Sequence, residues 1–203
     1  MLAIACAIVG FALHRWVLAG LLLLAAAMLS GFVASSIERG VVALRGGARH
    51  LARQRILAHL ARHPDWALRL YETPAGLRLL ATHRPFEPDA PDVREFFDAV
   101  GADPVYVRMC LNQHCFRARL TGKPWRMGIH DHMRPRPGIW PIDPARRPVR
   151  EAWVRRYEAA APGYAACRFV ESLGAATVHP DVRPVVDLHD RESQALKATL
   201  PLA

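Results

Sequence analysis

From Trp16 to Ala34 the chain reads WVLAGLLLLAAAMLSGFVA, 19 residues without a charge. About 20 apolar residues span the roughly 30 Å hydrocarbon core of a bilayer, so the run predicts a transmembrane helix. Trp16 suits the headgroup belt at one end, and Ser35 and Ser36 mark the other. Residues 1–13, MLAIACAIVGFAL, are apolar as well, separated from the span by His14 and Arg15. Thirteen residues are short for an independent crossing. A very short first helix of a membrane hairpin and a cleaved secretory signal both stay open, although no basic region precedes the run as a signal peptide requires.

Beyond the span the periodicity shortens. Over residues 41–62, Leu44, Ala48, Leu51 and Leu60 fall near one helical face, while Arg45, Arg49 and Arg53 step by four along another. This predicts a basic amphipathic helix whose first turn is weakened by Gly46-Gly47. WALRLYE (66–72) and LRLLATH (77–83) flank Thr73-Pro74-Ala75-Gly76, a turn sequence that predicts a β-hairpin. A helix is predicted over 92–100, stopped by Gly101. Asp103-Pro104 then supplies an N-cap and a first-turn proline for a helix reaching about Gln113.

CFRARL (115–120) alternates and predicts a strand, with Arg117 and Arg119 on one face and Phe116, Ala118 and Leu120 covering the core on the other. Pro124, Pro135, Pro137, Pro141, Pro144 and Pro148 then exclude a persistent helix or central strand, and Trp125, Ile129 and Trp140 predict a packed, ordered loop. A helix over 149–161, a strand over 164–173 and a helix over 183–198 complete the pattern. The fold class is α+β: an N-terminal transmembrane helix followed by a small, mostly antiparallel sheet packed with helices. Three regions follow: an apolar segment at 1–35, a juxtamembrane helix at 36–62 and an α+β domain at 63–203.

Composition narrows the classes. Hydrophobic residues make up 52% and charged residues 22%, which excludes disorder of the whole chain. Four cysteines exclude a disulfide-dense scaffold. The net charge of +9 is unevenly spread: residues 1–62 carry seven arginines and one glutamate, and residues 63–203 carry 20 basic and 17 acidic residues. The basicity belongs mainly to the membrane end, so nucleic acid is not an expected partner. Arg45, Arg49 and Arg53 are placed to meet anionic lipid headgroups. The arginine excess just after the span puts the α+β domain in the cytoplasm of a single-pass inner-membrane protein, where Cys110, Cys115 and Cys167 stay reduced.

Candidate chemistry concentrates in CLNQHCFRARLTGKPWR, residues 110–126. The stretch resembles an uncharacterised family of bacterial membrane-anchored proteins, in which a similar Cys-Gln-Cys-Phe-Arg-Ala-Arg run precedes Lys-Pro-Trp-Arg. The likeness extends to the hairpin at 71–86, to YAACRFVESLG at 164–174 and to His189-Asp190. It implies a membrane-anchored context and brings no activity with it.

From the residues themselves, Arg117, Arg119, Lys123 and Arg126 suit bidentate recognition of a carboxylate or phosphate, and Trp125 could stack on a base or anchor the loop. Cys110, His114, Cys115, His130 and His132 are ligand types that zinc accepts, but their spacing departs from the usual structural pairs. No cofactor is predicted otherwise. His189-Asp190 has only a nominal likeness to metal phosphohydrolases, and phosphate loops, nucleophile elbows and zinc-protease motifs are absent. The function expected is binding of a partner or an anionic ligand by the membrane-tethered domain. A tethered enzyme acting on a phosphorylated or carboxylated substrate at the arginines is the alternative, and a zinc-stabilised interaction module the third.

Overall fold

The computed structural model describes residues 46–136 and 140–203, together with Arg15, Val17, Leu21, Leu24, Ser30, Phe32, Val33 and Ser36. Among the described residues no helix is long and apolar enough to cross a membrane. The expected span at 16–34, the apolar run at 1–13 and Arg45 lie wholly or largely outside them. The chain divides into two compact units at Leu51–Ala52. The second carries the α+β fold.

Among the described residues five α-helices and three strands follow in the order α1 (Gly47–Arg62), β1 (Ala67–Thr73), β2 (Gly76–Ala81), α2 (Pro91–Val100), α3 (Pro104–Gln113), α4 (Arg147–Ala160), β3 (Arg168–Gly174) and α5 (Arg183–Glu192). The sheet is antiparallel with the order β2-β1-β3, so β1 lies at its centre. The hairpin is the one its turn predicts, Thr73 pairing with Gly76. In β1 the side chains alternate. Leu68 and Leu70 join Ile56, Leu60, Trp66 and Leu173 in one apolar cluster. Tyr71 leaves the opposite face and joins Cys167, Ala195, Leu80 and Phe169 in another. Burying a residue such as Leu68, 1% exposed, contributes about 1.5–3 kcal/mol.

The helix starts and stops obey local chemistry. Gly101 adopts the left-handed conformation that ends α2, and the Asp103 carboxylate accepts the Val105 amide at 2.8 Å to begin α3. Gly174 closes β3 at φ 78°, where a Cβ would stand 2.1 Å from the Trp66 carbonyl oxygen.

Two expectations are overturned. CFRARL is not a strand. It leaves α3 through a left-handed His114 (φ 46°) and joins no ladder, and Phe116 to Arg119 are all exposed. Alternation alone cannot make a strand without a partner edge and a buried face. Phe116 is 44% exposed and meets the buried Phe97 ring edge to face. Trp125 and Trp140, expected to pack the proline-rich loop, are 55% and 80% exposed. The loop is held instead by α4, where stacked Trp153 and Tyr157 donate to the backbone carbonyls of Asp131 and Gly122 at 2.9 and 2.7 Å. Arg53, one of the arginines expected to meet lipid, makes an exposed two-armed ion pair with Glu171 of β3 at 2.9 and 3.1 Å.

Candidate functional site

On the Tyr71 face of the sheet a polar cluster is built from three separate parts of the chain. Arg69 and Tyr71 are two apart on β1 and share a face, and Arg78 of β2 pairs directly with Tyr71 across the hairpin. Cys167 stands just before β3, two residues ahead of Phe169, which faces Tyr71. His189 and Asp190 come from the last turns of α5, with Ser193 just beyond. Cys167 is fully buried, and His189, Asp190 and Ser193 are each no more than 9% exposed.

Asp190 organises the cluster. One carboxylate oxygen accepts from Arg69 Nη2 at 2.6 Å, and the other from the Tyr71 hydroxyl at 2.7 Å and from His189 Nδ1 at 3.1 Å. Arg69 also donates to the Tyr71 oxygen at 2.8 Å and lies 4.3 Å over the Phe169 ring. A carboxylate can only accept, so His189 carries its proton on Nδ1 and turns the Nε2 lone pair the other way. There it meets Arg78 Nη1 at 2.9 Å and Cys167 Sγ at 3.8 Å. Arg78 also approaches Cys167 Sγ at 3.5 Å, and the Cys167 thiol contacts Ser193 Oγ at 3.4 Å.

Burial sets the protonation states. Desolvation lowers the His189 pKa, outweighing the Asp190 hydrogen bond, so the ring is neutral near pH 7. It raises the Cys167 pKa against the opposing influence of Ser193 and Arg78, which keeps the thiol protonated. Tyr71 is likewise pushed well above the usual phenol range, first by burial.

A charge imbalance remains. Arg69 is matched by Asp190. Arg78, partly buried, has a neutral imidazole and a neutral thiol as its partners and no carboxylate in ion-pair range among the described residues. Burial pushes the Tyr106 phenol on α3 well above the usual range. The two arginines and one carboxylate leave the cluster with an uncompensated positive charge at its Arg78 end.

The sequence-chosen residues are distributed differently. Arg117, Arg119 and Arg126 are exposed and Lys123 is half-buried, its ammonium 5.1 Å from the centre of the Trp125 ring. With no strand there, Arg117 and Arg119 have no common sheet face to leave from. Among the described residues no three His, Cys, Asp or Glu side chains are grouped to hold a metal ion, and Cys110, His114, Cys115, His130 and His132 are not brought together. Cys110 is a buried helix residue, and His114 is the left-handed cap of α3.

Sequence reasoning passed over Arg69, Tyr71, Arg78 and Cys167. The hairpin register was the available signal, since a turn at 73–76 forces Tyr71 opposite Arg78 and puts Arg69 on their face. The chain matches no protein-family model, no curated protein and no solved structure.

Proposed function

We propose that this chain is a membrane-anchored binding protein whose α+β domain takes an anionic group, a phosphate or carboxylate, at Arg78. The observation that carries the reading is the partly buried Arg78 guanidinium, whose partners are the neutral His189 ring and Cys167 thiol while Asp190 is engaged by Arg69, Tyr71 and His189. A partly buried charge without a counter-charge loses some of its hydration, and an arriving anion offsets that cost while meeting the planar donor fork of arginine. The anchor is supported by the uncharged run at 16–34, whose described apolar members Val17, Leu21, Leu24, Phe32 and Val33 are helical and exposed. The arginine excess that follows it supports a cytoplasmic, inner-membrane domain.

The test is thermal melting of the full chain in detergent micelles, with inorganic phosphate and with a dicarboxylate. An anion at 100 times its dissociation constant stabilises by about 2.7 kcal/mol, which for a chain of this size raises Tm by roughly 5–10 °C. Arg78→Gln should abolish the shift. An undiminished shift in that variant would sink the reading.

A second reading, a tethered enzyme, is favoured by one arrangement. Cys167, His189 and Asp190 stand in the order of a nucleophile, a base and the group that orients it. In this conformation the thiol is buried and protonated and Arg78 holds the imidazole lone pair, so catalysis would require ligand-driven opening. Turnover of phosphoesters or thioesters by the full chain, lost on Cys167→Ser while anion binding persists, would establish the enzyme over the binding protein.

A further inference from the structure

The segment from Phe116 to Arg150 carries nine basic residues and two acids. Both acids are engaged: Asp131 pairs with Arg156, and Asp143 caps a helical turn by accepting the Ala145 amide at 2.9 Å. Arg117, Arg119, Arg126, Arg134, Arg136, Arg146 and Arg147 are exposed and have no carboxylate in ion-pair range among the described residues. The same segment presents Phe116, Trp125, Trp140 and Val149 at 44%, 55%, 80% and 59% exposure. Tryptophan so exposed is unusual in a folded domain, because its large apolar ring gains most from burial.

We propose that the described part of this segment, residues 116–136 and 140–150, is a membrane-docking surface that rests on an anionic lipid headgroup layer. The inference goes beyond the Arg78 site and uses none of its residues. Charge complementarity selects the occupant. Arginines without carboxylate partners find them in the phosphate and carboxylate groups of acidic lipids, each worth about 1 kcal/mol near the surface. The exposed tryptophans select a lipid layer over a free anion, since indole partitions into the headgroup boundary with its ring toward the acyl chains and its N–H toward water. The loop is pinned to α4 through Asp131 and Gly122, so its docking would hold the domain as well as the loop.

The experiment uses the full chain in lipid nanodiscs and reads tryptophan fluorescence quenched by bromine on the acyl chains. Brominated phosphatidylserine is compared with brominated phosphatidylcholine at equal mole fraction. Trp16, in the apolar run, gives the same background in every sample. The expected result is an excess of quenching by the anionic lipid. It should disappear in the Trp125→Phe/Trp140→Phe variant, in the Arg126→Gln/Arg134→Gln/Arg136→Gln variant, and in 1 M salt, where the screening length falls to about 3 Å. All five positions are exposed, so these variants keep the fold, and an unchanged melting profile confirms it. No anionic excess in the wild type, or an excess that survives loss of both tryptophans, overturns the proposal. So does quenching of the same tryptophans by a short RNA or an acidic peptide where the anionic lipid has no effect, because the surface then serves a different partner.

Discussion

At the residue scale, Asp190 and His59 show opposite ways of burying a polar group. Asp190 is met by Arg69, Tyr71 and His189. Replacing it with asparagine keeps the shape but leaves the mostly buried Arg69 without its counter-charge, and the expected cost is about 3–5 kcal/mol. Tyr71→Phe removes one hydrogen bond to the same carboxylate and should cost about 1.5–3 kcal/mol. Denaturant titration of the two variants checks the ranking, and equal small losses would show that the network does not hold α5 to the sheet. His59 is 1% exposed, yet both of its ring nitrogens lack partners, and it lies among His63, Trp66 and Phe96. Desolvation lowers its pKa, helped by His63 and Arg62 and opposed by Glu95. A lowered folded pKa means that the unfolded chain, with an ordinary value of about 6.5, takes up the proton first. Stability is therefore full above that value and falls as pH drops through it. Melting between pH 7.5 and 5.5 should show this decline, and His59→Phe should flatten it. A variant as acid-sensitive as the wild type would assign the effect elsewhere, the half-buried His83 and the buried His189 being the other imidazoles with lowered pKa.

At the scale of elements, local signals carried far where local chemistry decides. The Thr73-Pro74-Ala75-Gly76 turn, Gly101 and the Asp103 cap do what their sequences dictate. The strand at 115–120 fails because a strand is a property of two segments, and alternation in one cannot reveal whether the other exists. The Arg78 cluster was half legible for the same reason. Arg69, Tyr71 and Arg78 follow from the hairpin register, but Asp190 meets Tyr71 across 119 positions of sequence, and nothing local announces that pairing. The failed strand reverses a stability expectation. A core-covering Phe116 would cost about 3–5 kcal/mol on truncation to alanine. At 44% exposure, with one edge-to-face contact to Phe97, it should cost no more than about 1.5 kcal/mol. Leu68→Ala, fully buried, should cost about 2–5 kcal/mol. Equal losses for the two would return 115–120 to the core.

At the scale of the whole molecule, charge is the thread. It is concentrated at two places, the start of the chain and the segment 116–150, and the partly buried Arg78 guanidinium adds a charge without a carboxylate partner among the described residues. Because the arginine excess follows the span, a fusion at Ala203 should be active with a cytoplasmic reporter and silent with alkaline phosphatase, and the reverse pattern would remove the proposed topology. The central claim is the anion site at Arg78, and calorimetric titration of the full chain in micelles with inorganic phosphate tests it most directly. Wild type and the Arg117→Gln/Arg119→Gln variant should bind with the same affinity, while Arg78→Gln should show no binding heat. Loss of binding in the Arg117/Arg119 variant with retention in Arg78→Gln would contradict the account and move the anion from the buried cluster to the exposed loop.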